Sequence, residues 1–325
     1  MKDTQKLRKI IRKFSDTRIL VLGDLILDEF LWGQVSRISP EAPVPVVWVK
    51  SESFMPGGAA NVANNVRSLG GRVYMAGVVG RDERGSILKG ELEQKGVGTK
   101  GIMIDETRPT TLKTRVIAHH QQVVRIDKEN VESVSGRLSE RIIEYVKEII
   151  KDIDGIIIED YGKGVISPKL LREVLGMARR YRKIVTVDPK EEHFSYYKGV
   201  TAITPNHHEA AQAAGVKIKD KDSILAIGRI LLDKLGCDGA LVTLGENGMQ
   251  LFEKSGKVTH IPTVAQEVFD VSGAGDTVIA SFTSALATGA GMVDAAYISN
   301  IAAGLVVGKV GIAVVTQEEI LSRII

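Results

Sequence analysis

Short apolar runs rich in Ile, Val and Leu, each closed by a glycine or a polar turn, alternate with helical patterns along most of this chain. The strand candidates are 18–22, 73–79, 155–158, 184–187, 202–204 and 240–243. Continuous apolar runs of this length suit strands buried on both faces, as in a parallel sheet. Helix candidates lie between them at 59–69, 82–94, 139–150 and 168–180, the last opened by Ser167 as N-cap and Pro168 in the first turn. This alternation predicts an α/β fold, a three-layer α/β/α sandwich around a mostly parallel central sheet. A length of 325 residues leaves room for one large α/β domain with an appendage, or for two small domains.

Two stretches break the alternation. Residues from about 30 to 50 hold Pro40, Pro43 and Pro45 and then Val46-Val-Trp-Val49, and residues from about 110 to 126 alternate like half-exposed antiparallel strands. Together they predict a small β-sheet lid of four or five strands standing off the main body. An apolar face on such a flap must cover something, either a substrate or a second subunit. Neither an internal repeat nor a linker interrupts the chain, so residues 1–325 read as one domain with its lid.

Composition narrows the partners. The 43 basic and 40 acidic residues leave a formal charge of +3, too small and too dispersed to argue for nucleic acid. A single cysteine, Cys237, can build neither an internal disulfide nor a cysteine-rich metal cage, which fits a reducing, cytoplasmic setting. The N-terminus lacks the apolar stretch of a signal peptide. Leu7, Ile10, Ile11 and Phe14 instead recur at helical spacing, and Asp3 and Asp16 interrupt the basic face, so a helix docked on the domain is expected over one lying on a membrane. No apolar run is long enough to span a bilayer, and no membrane partner is expected.

The segment Asp270-Val-Ser-Gly-Ala-Gly-Asp276, followed by the apolar run 277–286, carries the most chemistry. Small residues at a helix start leave backbone N–H groups uncovered, and the helix dipole adds positive charge there, so an anion is favoured. A carboxylate in that same turn would repel phosphate. Asp276 makes sense if it faces a hydroxyl that must lose its proton while the N–H groups hold charge developing on a phosphoryl group. The competing reading is a tight loop-to-helix turn with Asp276 as a dipole-stabilising residue. There is no P-loop, and Gly96-Val-Gly-Thr-Lys-Gly101 lies after a helix and before a strand, the wrong order for a dinucleotide fingerprint. Protein-kinase signatures and a Gly-x-Ser-x-Gly elbow are also absent.

The run Asp270 to Asp276 resembles the C-terminal signature of the ribokinase (PfkB) family of carbohydrate kinases, and Pro56-Gly57-Gly58-Ala-Ala-Asn61-Val-Ala63 resembles its N-terminal sugar-site signature. Further runs are similar to the heptose-7-phosphate kinases within that family. They are Gly23-Asp24-Leu-Ile-Leu-Asp28, Ser36-Arg37-Ile-Ser39-Pro-Glu41-Ala-Pro-Val-Pro45, Asp160-Tyr-Gly-Lys163-Gly164, Asp188-Pro-Lys190, Thr204-Pro-Asn206-His-His-Glu209 and Gln266-Glu-Val-Phe-Asp270.

The resemblance implies a ribokinase-like sandwich that transfers the γ-phosphoryl group of ATP, with Mg²⁺, to a sugar phosphate. Asp276 would be the base, and the amides of Gly273, Ala274 and Gly275 the anion hole. Asp28, Gly57, Gly58 and Asn61 would contact sugar hydroxyls, although close packing at a helix start also accounts for the two glycines. Asn206 and Glu209 would face the phosphates and Mg²⁺, directly or through water; without the motif Glu209 reads as a surface helix residue. Thr243, Gly245 and Gly248 would shape the nucleotide loop, Asn300 would sit near the adenine or ribose, and Lys163 and Lys190 would contact phosphate. A second phosphate on the substrate calls for lid cations, with Arg37, Lys113, Arg115 and Arg125 as candidates; strand-edge solubility is the competing reason for them.

The expected product is the 1,7-bisphosphate of D-glycero-β-D-manno-heptose, a step toward ADP-heptose and lipopolysaccharide core. Some relatives carry a C-terminal nucleotidylyltransferase, and a chain ending at Ile325 is expected to leave that activity to another polypeptide. The family also allows a monovalent cation beside Asp270; Ile312 stands where the heptose-kinase pattern usually has Thr. His119-His120 and His207-His208 are read as pairs pointing apart on strands, without matching ligand spacing for a transition metal. The lid's apolar face predicts a homodimer. Two alternatives stay open, a kinase of the same fold acting on another sugar, sugar phosphate or nucleoside, and a non-catalytic nucleotide-binding scaffold.

Overall fold

The computed structural model describes residues 3–119, 121–265, 268–309 and 311–324. The chain opens with α1 (Thr4–Arg12), β1 (Arg18–Gly23), two long strands β2 (Leu25–Ile38) and β3 (Pro45–Gly58), α2 (Ala59–Ser68), β4 (Arg72–Gly80), α3 (Glu83–Gln94) and β5 (Gly98–Asp105). The hairpin β6 (Thr111–Ala118) and β7 (Gln121–Lys128) follows, then α4 (Gly136–Ile149), β8 (Gly155–Glu159), α5 (Pro168–Arg180), β9 (Ile184–Asp188) and β10 (Ala202–Ile203). The remainder is α6 (His207–Ala214), α7 (Lys221–Leu235), β11 (Gly239–Thr243), β12 (Met249–Glu253), β13 (Val258–Ile261), α8 (Ala274–Ala287), α9 (Met292–Val306) and α10 (Gln317–Arg323).

The main sheet runs in the order β13-β12-β11-β10-β9-β8-β1-β4-β5, and among the described residues only β12 runs antiparallel to its neighbours, β11 and β13. Its apolar runs become central strands because each offers side chains to both faces. Leu20, Leu22, Ile156 and Ile158 pack under α4 and α5, whereas Ile19, Val21 and Ile157 pack under α2 and α8. This is the ribokinase-like three-layer sandwich. The strand order reverses between β1 and β8, where chain segments leave in opposite directions along the sheet. A crevice opens outside the carboxyl ends of the strands at such a point, and open α/β sheets place ligands there.

Helix α8 is buried on nearly every side, from Asp276 to Leu286. Its internal hydroxyls are satisfied locally: Ser281, Thr283 and Ser284 each donate to the carbonyl four residues earlier. An all-round buried helix can deliver its N-terminus to the interior of the crevice. Helix α1 is docked as expected, with Leu7, Ile10 and Ile11 buried. No helix among the described residues is long and apolar enough to cross a membrane.

The second sheet has the order β3-β2-β6-β7. Its strands reach deeper than the expected segments of about 30–50 and 110–126. β2 starts at Leu25 and β3 runs on to Gly58, so the lid is rooted in the core at Leu25, Ile26 and Leu27 and exposed toward Ile38. The buried root is apolar on both faces, which in the sequence reads as body rather than lid.

Candidate active site

Asp276 lies in the first turn of α8, buried at 7% exposure, facing the root of the lid. Asn61 Nδ2 donates to its Oδ2 at 2.6 Å and Tyr161 Oη donates to its Oδ1 at 3.0 Å. Burial raises the Asp276 pKa, those two hydrogen bonds oppose the rise, and nearby Asp28 and Lys113 push in opposite directions. The carboxylate is thus a stronger proton acceptor than a free aspartate, with both oxygens oriented. The Tyr161 hydroxyl is raised well above its ordinary pKa by burial and by the carboxylate of Asp276, so it keeps its proton and donates. Asn61 comes from α2, whose start is set by Gly58 at φ 53°, a conformation that disfavours side chains. Asn61 was expected against sugar hydroxyls; its amide nitrogen is turned to the Asp276 carboxylate instead.

The helix start also differs from expectation. Gly273, at φ 77°, is the N-cap, and the Ala274 amide donates to the Val271 carbonyl at 3.2 Å to close the preceding turn. That occupies one of the three amides expected to form an anion hole. The amides of Gly273, Gly275 and Asp276 have no acceptor among the described residues, so the Asp276 amide takes the place of Ala274's in the anion-binding group.

A carboxylate cluster sits beside Asp276. Glu159 ends β8, Asp188 ends β9, and one oxygen from each of Glu159, Asp188 and Asp276 lies within 4.8 Å of the others. Glu159 is fully buried and neither of its carboxylate oxygens has a hydrogen-bond partner among the described residues. Burial first, then the neighbouring carboxylates, hold Glu159 and Asp188 well above the usual carboxylate range. A buried acid left without donors is costly, and a hard divalent cation with oxygen ligands relieves that cost. Glu209 stands near both. Its Oε2 accepts the Asn206 amide while Asn206 Oδ1 accepts the amides of His208 and Glu209, a capping box that starts α6. Asn206 is therefore the N-cap, its oxygen committed to the helix, and only one Glu209 oxygen is committed.

A cleft of about 500 Å³ opens on the other side of the α8 N-terminus. Thr243, Gly245, Gly248, Ala274, Gly275 and Asn300 line it, with apolar walls from Val268, Val271, Val278 and Val307. Asn300 is buried and its Nδ2 donates to the Pro262 carbonyl. The arrangement joins a mostly apolar, base-sized cleft to free amides, an acidic cluster and an oriented carboxylate, in the order that phosphoryl transfer requires.

The pfkB family carbohydrate kinase pattern matches residues 16–319. The chain belongs to the PfkB family of carbohydrate kinases. It is 45% identical over 322 residues to the bifunctional protein HldE of Citrifermentans bemidjiense, covering 99% of this chain and 66% of that protein. It is 47% identical to bifunctional protein HldE of Geobacter sulfurreducens, covering 94% of this chain and 62% of that one. The chain thus spans somewhat less than two thirds of the length of these relatives. Among solved structures, Arabidopsis thaliana ribokinase complexed with ribose and ATP matches with a TM-score of 0.74 at 20% identity, covering 95% and 98% of the two chains. Phosphofructokinase-2 from Escherichia coli in complex with substrates and products matches at 0.77 and 17%, covering 95% and 98%. These two share the fold.

Within this PfkB chain, the other expected site residues are distributed unevenly. Asp28 on β2 is ion-paired with Arg115 on β6, so two residues expected to contact substrate separately engage each other. Gly57 and Gly58 pack against β2, where a Cβ on Gly57 would overlap the Asp28 carboxylate. Lys113 lies across from Asp28 in register and faces the Tyr161 ring, with no ion pair among the described residues. Arg125 pairs with Asp127 on the exposed strand β7. Arg37 lies nine residues along β2 from Asp28, roughly 30 Å at about 3.3 Å per residue, and this chain alone does not bring it to the crevice. Lys163 pairs with Glu129 at 2.7 Å and Lys190 with Glu191 at 2.9 Å, so neither ammonium is free for phosphate in this arrangement. Asp270 is half-buried and its Oδ1 accepts the Ser272 amide. His207 and His208 open α6 rather than a strand, with rings 4.0 Å apart, and join no carboxylate cluster among the described residues. His120, Gln266 and Glu267 lie outside the described residues.

Glu159, Asp188 and Tyr161 had no role assigned from sequence. The signal was present: Glu159 and Asp188 directly follow the predicted strands 155–158 and 184–187, at the carboxyl edge of the sheet where ligands gather, and Tyr161 sits in a matched run.

Proposed function

We propose that this PfkB kinase phosphorylates D-glycero-β-D-manno-heptose 7-phosphate at O1 with ATP, forming the 1,7-bisphosphate. The observation that carries the reading is Asp276, buried, doubly hydrogen-bonded and set beside uncovered amides at the start of α8. ATP would occupy the cleft lined by Thr243, Gly245, Gly248 and Asn300, with its γ-phosphate toward the Gly273, Gly275 and Asp276 amides. The sugar would lie under the lid root near Asp28, Lys113 and Arg115. Asp276 takes the proton from the anomeric hydroxyl as its oxygen bonds the γ-phosphorus and ADP leaves. That hydroxyl is more acidic than an ordinary alcohol, and general-base help is worth roughly 10²–10⁴ in rate. Glu159 and Asp188, with Glu209 at the edge, fit Mg²⁺, which would supply positive charge to the phosphates.

The heptose assignment is supported by the runs resembling heptose-7-phosphate kinases and by the similarity to the bifunctional HldE proteins. A second reading is a sugar without a phosphate, favoured by the ion pairs that already engage Arg115 and Arg125. ADP release with heptose 7-phosphate, heptose, fructose 6-phosphate, ribose and adenosine separates them. Turnover confined to heptose 7-phosphate supports the first reading, and turnover on another acceptor replaces it while leaving the base chemistry intact. Trp32, Trp48, Val49, Val124 and Ile126 leave apolar surface exposed on the lid, so we also propose a homodimer through the lids. A monomer in light scattering would remove that proposal.

A further inference from the structure

The loop after β8, residues 160–165, is fixed far more tightly than a surface connection requires. Asp24, buried at the end of β1, accepts the amides of Tyr161 and Lys163 at 2.9 Å on Oδ2 and the amide of Val165 at 3.1 Å on Oδ1. Asp160 Oδ1 accepts the Gly162 amide, and its Oδ2 accepts the Tyr197 hydroxyl at 2.7 Å and meets His193 Nδ1 at 2.7 Å. Arg108, nearly buried, donates from one guanidinium nitrogen to the Lys163 carbonyl at 3.0 Å and from another to the Glu132 carbonyl at 2.9 Å. Gly164 has φ 88°, and a Cβ there would overlap the Glu132 carbonyl. Tyr161 belongs to no apolar core cluster, so the loop is not held to pack its ring. Val165 at the end of the loop packs into the core, and what the loop delivers to the crevice beside α8 is the Tyr161 hydroxyl, 3.0 Å from Asp276 Oδ1.

We propose that Tyr161 is a positioning residue, held by the Asp24 clamp, whose hydroxyl fixes the rotamer of the Asp276 carboxylate so that an oxygen faces the sugar hydroxyl. With Asn61 on the other oxygen, the carboxylate is held from both sides. Two acceptor positions are taken by these donors, and the remaining ones are left for the substrate. Tyr161 acts through Asp276 and takes no proton itself. This rests on the reading of Asp276 as the base, and its test is built to fail separately from that reading.

The variant is Tyr161→Phe, which keeps the ring and removes only the hydroxyl. With heptose 7-phosphate and ATP, kcat is expected to fall about 10- to 100-fold, the range for one hydrogen bond to a charged group, while KM for both substrates stays within about twofold. A second measurement needs no turnover: unfolding midpoints of Tyr161→Phe, Asp276→Ala and the double variant. The contact predicts that the double variant shifts by clearly less than the two single shifts combined. An unchanged kcat in Tyr161→Phe, a rise in KM with kcat preserved, or additive midpoints would each overturn the proposal. Absence of turnover in the wild-type chain with heptose 7-phosphate would count against the substrate reading alone, and the midpoint cycle would then decide for Tyr161.

Discussion

Glu159 offers a test in which the absence and presence of a cation should move stability in opposite directions. In the folded chain both of its oxygens are buried without donors among the described residues, beside Asp188 and Asp276. A buried polar group left unsatisfied costs about 1–3 kcal/mol, and replacing it with an apolar group of similar size removes that cost. Glu159→Leu, in buffer with EDTA, is therefore expected to raise stability by about 1–3 kcal/mol. At about 2.1 cal/mol/K per residue, that is a rise in Tm of about 1.5–4.5 °C for a chain of this length. Mg²⁺ should reverse the order. A ligand at a hundredfold excess over its Kd stabilises by about 2.7 kcal/mol, or about 4 °C here. The wild-type chain should gain this shift as Mg²⁺ is titrated, and Glu159→Leu should lose most of it. Differential scanning fluorimetry without nucleotide, with and without Mg²⁺, reads both effects. A destabilised variant in EDTA would show that Glu159 has a partner that the structure lacks. An undiminished Mg²⁺ shift in the variant would place the cation elsewhere.

Other outcomes follow from the same geometry. Burial pushes the Asp24 pKa up to about 6, against the pull of the three amides it accepts. Between about pH 4 and 6 the folded chain thus holds more protons at Asp24 than the unfolded one, so this group's contribution to stability is fullest below pH 4 and falls by about 3 kcal/mol as pH rises through 6. Urea midpoints of wild type and Asp24→Asn should diverge across that window, and a constant offset from pH 4 to 7 would contradict the assignment. Gly164→Ala should destabilise by more than about 2 kcal/mol, since it adds strain at positive φ to a clash with the Glu132 carbonyl; a neutral effect in urea denaturation would show that the loop can move. Asn206→Ala should cost about 1 kcal/mol through loss of the capping box at α6, and an unchanged midpoint would mean that the cap contributes nothing.

Periodicity made β1, β4, β8, β9, β10 and β11 legible, because they are continuous apolar runs, but it missed β5, β12 and β13, whose apolar residues are interrupted by Lys100, Gln250 and His260. The lid was located but drawn too short, since Leu25, Ile26 and Leu27 are as apolar as any core strand and only pairing with β6 reveals them as lid. Asp276 could be singled out because small residues precede it at a helix start. Its surroundings could not. Asn61 and Tyr161 lie 215 and 115 residues away in sequence, and only the reversal of strand order between β1 and β8 brings their elements to one crevice. Glu159 was hidden for a related reason, for a carboxylate ending a strand reads as a polar turn until its neighbours are known. Nor were the cations' partners legible: Arg115, Arg125, Lys163 and Lys190 each have a carboxylate at contact distance.

The central claim is that Asp276 removes the proton from the sugar hydroxyl. The most direct measurement is steady-state ADP release by Asp276→Asn with heptose 7-phosphate, beside the wild-type chain. The variant should lose roughly 10²–10⁴ in kcat with KM for ATP and sugar little changed, because the amide keeps the shape of the carboxylate and cannot accept the proton. Full turnover by Asp276→Asn would contradict the account.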